Sequence, residues 1–133
     1  MILGHGAHMM QEIEKVDESW IVYSLGNGVF NSNGEYQLRH APPYSFIAQL
    51  HIENQQDKLR LYPIYSDNLV TFWQPIPLEE RQIKHLLQLQ NSYGLDVATE
   101  KGVSVNKDDI GFYLEFNWLQ WSSMTDIKYV TSL

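Results

Sequence analysis

Residues 4–11 read Gly4-His5-Gly6-Ala7-His8-Met9-Met10-Gln11, and residues 20–27 read Trp20-Ile21-Val22-Tyr23-Ser24-Leu25-Gly26-Asn27. The first run places two histidines three residues apart in a glycine-rich turn, directly after the apolar pair Ile2-Leu3. Imidazole nitrogens bind divalent metals, and glycine allows a close backbone approach, so His5 and His8 are candidate metal ligands. The alternative is a loop in which both histidines form ordinary hydrogen bonds.

The second run predicts a β-strand that ends in a turn. Residues 20–25 are apolar on both faces, which is typical of a central strand covered on both sides. Gln11–Lys15 predicts its neighbour, with the turn between them at residues 16–19. Gly26-Asn27 then favours a positive φ and offers an amide, so Asn27 either lines a cleft beside the histidine loop or ends the strand with an Asx hydrogen bond.

The remaining pattern predicts an α+β fold with an antiparallel-rich sheet and one main helix. Residues 26–45 are rich in glycine, asparagine and proline and predict a long loop. Phe46–Glu53 and Lys58–Tyr65 predict a hairpin, in which Pro63 indicates an edge or a bulge. A helix is predicted from the segment after Pro77 to Gly94.

The last predicted strand is Ile110–Trp118, where every second residue is a large apolar one. The pattern fades from about residue 122, and residues 1–133 are expected to form a single domain. If such a fold lacks some of its sheet neighbours, a strand edge stays exposed, and this edge can pair with another copy of the chain.

Composition excludes several classes of function. A formal net charge of −7 argues against non-specific nucleic-acid binding, which needs clustered lysine and arginine. The absence of cysteine excludes disulfides and thiolate chemistry. No run approaches the length of a membrane span and no signal peptide is visible, so neither is expected in this chain.

The two quoted runs resemble the last conserved block of the CapA-type capsule and poly-γ-glutamate synthesis proteins, which are relatives of the calcineurin-like metallophosphoesterases. That family pattern resembles Gly-x-His-Pro-His, an apolar pair and Gln, and it is followed by Ser-Leu-Gly-Asn. Here Gly4, His8 and Gln11 match it, and so does Ser24-Leu25-Gly26-Asn27, whereas Gly6 stands where the first patterned histidine would be.

The resemblance implies that the chain is the C-terminal portion of a CapA-like domain and a remnant of a layered α/β/β/α metallophosphatase-like fold. It implies metal ligation by His8 and His5, catalytic roles for His8 and Asn27, and a Mn, Fe or Zn cofactor in the parent domain. It also implies capsule or polyglutamate synthesis machinery as a partner, and a parent protein at the cell surface or membrane. The compartment of this chain itself stays open.

Two functional hypotheses follow. In the first, the chain is a section of a metal-dependent phosphoester hydrolase. In the second, it is a non-enzymatic structural or assembly fragment with a vestigial metal loop and no cofactor of its own. Two-metal hydrolysis needs bridging carboxylates, which the family supplies from loops preceding this block, so we expect no catalysis from the isolated chain.

Overall fold

The computed structural model describes residues 1–29, 31–52 and 57–118. The strands are β1 (Ile2–Leu3), β2 (Ile13–Val16), β3 (Ser19–Val22), β4 (Tyr44–His51), β5 (Asp57–Tyr65), β6 (Ile76–Pro77), β7 (Val103–Lys107) and β8 (Phe112–Trp118). The helices are α1 (Glu35–Leu38), α2 (Asn68–Thr71) and α3 (Glu80–Tyr93). The tail expected from about residue 122 lies outside the described residues.

The described strands form two sheets. The first has the order β1-β3-β2, and the second has the order β4-β5-β8-β7 with β6 paired to β5. Strand β1 runs parallel to β3, and the other pairs are antiparallel. The predicted α+β class, with antiparallel-rich pairing and α3 as the one main helix, is confirmed.

Strand β3 is central in the first sheet, as predicted, but its second face is only partly covered, since Ile21 on that face is half-buried. Trp20 and Val22 are buried, whereas Tyr23, just beyond the strand, is 42% exposed. The hydroxyl of Tyr23 donates to Glu14 Oε2 at 2.6 Å. The prediction of a strand covered on both sides was therefore wrong, because tyrosine can keep its ring on a strand while its hydroxyl stays in water.

The predicted loop at residues 26–45 contains a short helix. Helix α1 begins after Gly34, which has a φ of 78°, and Tyr36 is its buried residue. Strand β4 begins at Tyr44, one residue before the predicted end of the loop. A four-residue helix is too short to produce a readable apolar period, so the sequence pattern did not reveal it.

The predicted hairpin is present as the antiparallel pair β4–β5, with Phe46 opposite Pro63. Strand β5 has neighbours on both sides and an unbroken register with β4, so the predicted edge or bulge was wrong, although Pro63 itself lies between the residues that pair with β8 and those that pair with β6. The N–H of Phe46 donates away from β5, to Leu25 O at 2.7 Å, and the carbonyl of Pro63 accepts from Leu78 N at 3.2 Å. Pro63 thus occupies a position where the pairing with β4 requires no N–H donor.

Helix α3 follows its predicted limits closely. Glu79 and Gln82 form a reciprocal capping box at its start, and Gly94 ends it with a φ of 114°. Its buried residues are Ile83, Leu86 and Gln90. This stripe packs α3 against both sheets.

One buried cluster joins the two sheets and the helix. Trp20 of β3 meets Phe116 of β8 edge to face, with ring centroids 4.9 Å apart. The hydrogen bond from Phe46 N to Leu25 O ties the second sheet to the end of the first. The cluster also contains Met10, Ile13, Val22, Tyr44, Phe46, Leu59, Leu61, Leu78, Ile83, Leu86, Leu95, Val103 and Leu114.

A polar cluster lies on the opposite face of the larger sheet. The hydroxyl of Tyr62 donates to Asp108 Oδ2 at 2.8 Å, and Ile110 N and Gly111 N donate to Asp108 Oδ1 at 2.9 and 3.2 Å. These donors, with Arg60 3.9 Å away, lower the pKa of the Asp108 carboxyl. Its ionised form therefore stabilises the fold above the ordinary aspartate pKa of about 3.9, and this contribution disappears as the pH falls through the lowered value.

Asp108→Asn should accordingly make the protein less stable at neutral pH and make its stability fall less steeply below about pH 4. Urea unfolding over a series of pH values measures both effects. Asp109→Asn, at the exposed neighbouring position, is the matched control and should leave the profile unchanged. Parallel profiles for wild type and Asp108→Asn would contradict this assignment.

Candidate functional site

The histidine loop is closed on the end of β3. Gly4 N donates to Val22 O at 2.7 Å, and Gly4 O accepts from Leu25 N at 3.1 Å. At the other end, Gln11 N donates to Ser24 O at 3.2 Å, and Met10 forms an isolated bridge with Leu25. Both ends of the loop therefore attach to the segment that leads directly into Gly26-Asn27.

The approach of β1 to β3 is very close at Gly4. A Cβ added to Gly4 would overlap the carbonyl oxygen of Tyr23. A glycine at this position lets the two backbones meet, which fixes where the histidine loop leaves the sheet.

His5 and His8 both lie in the exposed part of this loop. His8 has a positive φ of 61°, and its carbonyl accepts a hydrogen bond from the Tyr36 hydroxyl at 3.4 Å. The loop thus presents both imidazoles on the surface while its backbone is tied to helix α1. Their roles as metal ligands stay predictions.

Asn27 lies beside this loop but is buried, with 6% of its surface exposed. Gly26, which precedes it, has a φ of 81°, and its N–H donates to Ser24 Oγ at 3.2 Å. Gly26 approaches the end of the histidine loop, since a Cβ on it would lie 2.9 Å from Met10 N, and the two predicted roles of Asn27, as a cleft residue or as a strand-ending Asx turn, both stay open. A catalytic role for Asn27 stays a prediction.

A buried chain of hydroxyl groups supports the histidine loop and the Gly26-Asn27 turn. Tyr36 Oη lies 3.0 Å from Ser66 Oγ, which in turn lies 2.8 Å from Ser45 Oγ. Ser45 is directly under Gly26, since a Cβ on that glycine would meet Ser45 Oγ at 2.5 Å. The chain therefore connects the His8 carbonyl, through α1, to the turn that carries Asn27.

A second cluster of buried polar residues holds the segment before α1 in place. Ser32 N and Ser32 Oγ both donate to Asn68 Oδ1 at 2.8 Å, and Ser32 Oγ also reaches Asp67 Oδ1 at 3.2 Å. Asp67 is the N-cap of α2, because its side chain accepts from Leu69 N. These polar residues stabilise the loop without belonging to the sequence-predicted site.

Sequence reasoning missed these supporting residues. The partners lie 21 to 36 residues apart along the chain. Only the N-cap had a local signal, since aspartate is one of the residues preferred at a helix start. The hydroxyl chain has no such signal, because the folding of α1 against β4 and β5 creates it.

The histidine loop offers two imidazoles as candidate ligands for a metal ion. In residues 1–29, 31–52 and 57–118, no group of three or more histidine, cysteine, aspartate or glutamate side chains is arranged to hold a metal ion. Two imidazoles alone do not fit the two-metal centre implied by the resemblance, which also needs bridging carboxylates.

The remaining histidines lie elsewhere. His40 is exposed, with a φ of 51°, and His51 is half-buried at the end of β4. His85 Nδ1 lies 3.0 Å from the hydroxyl of Tyr44, and burial raises the pKa of that tyrosine. None of these three histidines belongs to residues 4–11.

The part of the chain that the structure describes contains no helix that is long and apolar enough to cross a membrane.

The comparisons with known proteins point to the same N-terminal segment. No curated protein matches the chain. Residues 1–32 of the 133 match the family model described as bacterial capsule synthesis protein PGA_cap. The match covers β1, the histidine loop, β2, β3 and the Gly26-Asn27 turn, and it confirms that this segment is similar to bacterial capsule synthesis proteins.

Proposed function

We propose that this chain serves bacterial capsule synthesis as a non-enzymatic structural or assembly module. The observation that carries the proposal is the match of residues 1–32 to the capsule synthesis family. Those residues form one bonded unit with the rest of the fold. Leu25 O accepts from Phe46 N of the larger sheet, and Ile13 N donates to Gln90 Oε1 of α3.

The finer features rest on the sequence resemblance. The Gly4-to-Gln11 and Ser24-to-Asn27 runs support poly-γ-glutamate as the polymer and a metallophosphatase-like parent domain. They support a parent protein at the cell surface, with the synthesis machinery as its partner. In this proposal a divalent metal belongs to the parent domain.

The donor chemistry favours the module over a complete hydrolase. His5 and His8 are surface residues of one loop, and Gly6 replaces the histidine that the family pattern has between them. Hydrolysis of phosphoesters by paired metals requires carboxylates that bridge the ions and orient water. The loop therefore supplies at most two of the ligands that such a site needs.

One observation supports the alternative, in which the chain is a section of a metal-dependent phosphoester hydrolase. Both ends of the histidine loop are bonded to residues 22–25, so His8 and Asn27 lie on adjoining segments. In this alternative, His8 would be a ligand, and Asn27 would orient a group beside it.

Gene deletion and complementation in the source bacterium test the proposal. Deletion should reduce the surface polymer, and both wild type and His8→Ala should restore it. His40→Ala is the matched control, because His40 is also an exposed histidine with a positive φ. Unchanged polymer after deletion would overturn the role in capsule synthesis. If His8→Ala folds but does not restore the polymer, whereas His40→Ala does, the result would instead favour the hydrolase.

Calorimetric titration with Mn²⁺ and Zn²⁺ gives an independent measurement on the purified chain. Because two imidazoles on one exposed loop make a weak site, we expect binding weaker than micromolar and no turnover of an aryl phosphate. Micromolar or tighter binding that disappears in His8→Ala but persists in His40→Ala would contradict the vestigial loop, as would chelator-sensitive turnover.

A further inference from the structure

Strand β7 forms one edge of the larger sheet. Asn117 N donates to Gly102 O at 2.9 Å, so the N–H and C=O groups of Gly102, Ser104 and Asn106 face β8. The same alternation directs the backbone groups of Val103, Val105 and Lys107 away from β8. Among the described residues, no strand pairs with this outer side of β7.

A partly apolar groove runs beside this edge, between β7 and α3, and its polar lining residues are Gln88, Asn91, Asp96 and Ser104. It is an open cleft of about 520 Å³. The apolar side chains that line it are Leu87, Val97, Ala98, Val103 and Val105. Val105 is 37% exposed, and Asp96 also lines the groove. A strand added to β7 would therefore gain hydrogen bonds from the edge and bury apolar side chains in the groove.

The charges along β7 make this edge complementary to itself. Lys107 is the last residue of the strand, and Asp96, whose carboxylate accepts from Ala98 N and Thr99 Oγ1, lines the groove beside it. An antiparallel copy centred on Val105 would place its Lys107 opposite Val103, at the groove that Asp96 lines. The two-fold symmetry then creates this favourable pair twice, with no like charges in register.

We propose that the outer edge of β7 is a homodimer interface, formed by antiparallel pairing of two β7 strands about a two-fold axis at Val105. The pairing forms about six main-chain hydrogen bonds, two for each of the facing pairs Val105–Val105, Val103–Lys107 and Lys107–Val103. It joins the two larger sheets into one continuous sheet and closes both grooves.

The opposite edge of the larger sheet is less suitable. Strand β4 already uses its outward N–H at Phe46 to donate to Leu25 O. A partner strand cannot pair along the whole of β4 without breaking this bond. Strand β7 has no corresponding bond between described residues, so the second copy is assigned to β7.

Sedimentation equilibrium of the purified chain across the micromolar range tests the interface. We expect a concentration-dependent dimer that Val105→Lys weakens at least about tenfold, because the substitution places two ammonium groups in direct opposition. Val16→Lys is the matched control, since Val16 is 42% exposed on the edge strand of the other sheet. It should leave the dimer intact.

Charge reversal at the strand end provides a second variant. Lys107→Glu should weaken the dimer because it brings a carboxylate to the groove that Asp96 of the second copy lines, whereas Arg39→Glu, an equal charge change at an exposed position on α1, should not. A wild-type chain that stays monomeric throughout would overturn the proposal. So would a dimer that persists unchanged in both Val105→Lys and Lys107→Glu, or one that Val16→Lys disrupts equally.

Discussion

Gly26→Ala is expected to destabilise the protein by about 2 to 4 kcal/mol. Gly26 has a φ of 81°, which costs about 1 kcal/mol or more for a residue with a Cβ. A Cβ there would also lie 2.5 Å from Ser45 Oγ and 2.9 Å from Met10 N. Neither neighbour can move easily, because Ser45 belongs to the buried hydroxyl chain and Met10 is bonded into the sheet end.

Equilibrium urea unfolding measures this effect, and Gly28→Ala is the control. Gly28 lies two residues further along the same turn, and no atom lies within 4 Å of a Cβ built on it. Its substitution should change the free energy of unfolding by no more than about 0.5 kcal/mol. Equal effects of the two substitutions would show that the close contact with Ser45 and Met10 is not what requires glycine at position 26.

The same contact connects stability to the candidate site. Gly26 lies between Met10, near the end of the histidine loop, and the hydroxyl chain, which reaches the His8 carbonyl through Tyr36. Displacement of this turn should therefore move Asn27 and His8 together. Part of the segment similar to capsule synthesis proteins thus depends on residues 36–66, which lie outside the match.

Several elements were predictable because their pattern is local. Helix α3 has proline before it, glutamates at its start and glycine at its end, and those signals fixed its limits. Strand β8 alternates strictly, since Leu114 and Phe116 face the core. The hairpin was predictable for the same reason.

Other features were unpredictable because tertiary contacts create them. The exposure of Tyr23 depends on what covers the second face of β3, and the sequence of one strand does not contain that information. The interior position of Pro63 depends on β6 and β8 meeting the same strand at successive places. The hydroxyl chain under the candidate site likewise forms only when α1 packs beside β4 and β5.

Gln90 has a role that the helical pattern of α3 does not reveal. It lies in the stripe by which α3 packs against the fold, and it is buried with no exposed surface. Its role is nevertheless specific. Its Oε1 accepts from Ile13 N at 3.0 Å, and its Nε2 donates to Gln11 O at 3.2 Å. One helix side chain therefore satisfies two backbone groups at the edge of the first sheet.

Gln90→Leu should cost about 2 to 4 kcal/mol of unfolding free energy. Leucine has a similar size, so the main loss is electrostatic. Ile13 is only 2% exposed, and its N–H would be left without its acceptor. Urea unfolding measures the total cost, and hydrogen exchange at the Ile13 amide locates it.

The control is Gln88→Leu, two residues earlier on the exposed side of α3, which should change stability by less than about 0.5 kcal/mol. In Gln90→Leu the Ile13 amide should exchange faster relative to the core amides of β5 and β8. If all amides accelerated equally, the loss would be global and the bond to Ile13 would not be its cause. A selective change instead means that α3 holds the edge of β2, and with it the end of the histidine loop at Gln11, against the rest of the fold.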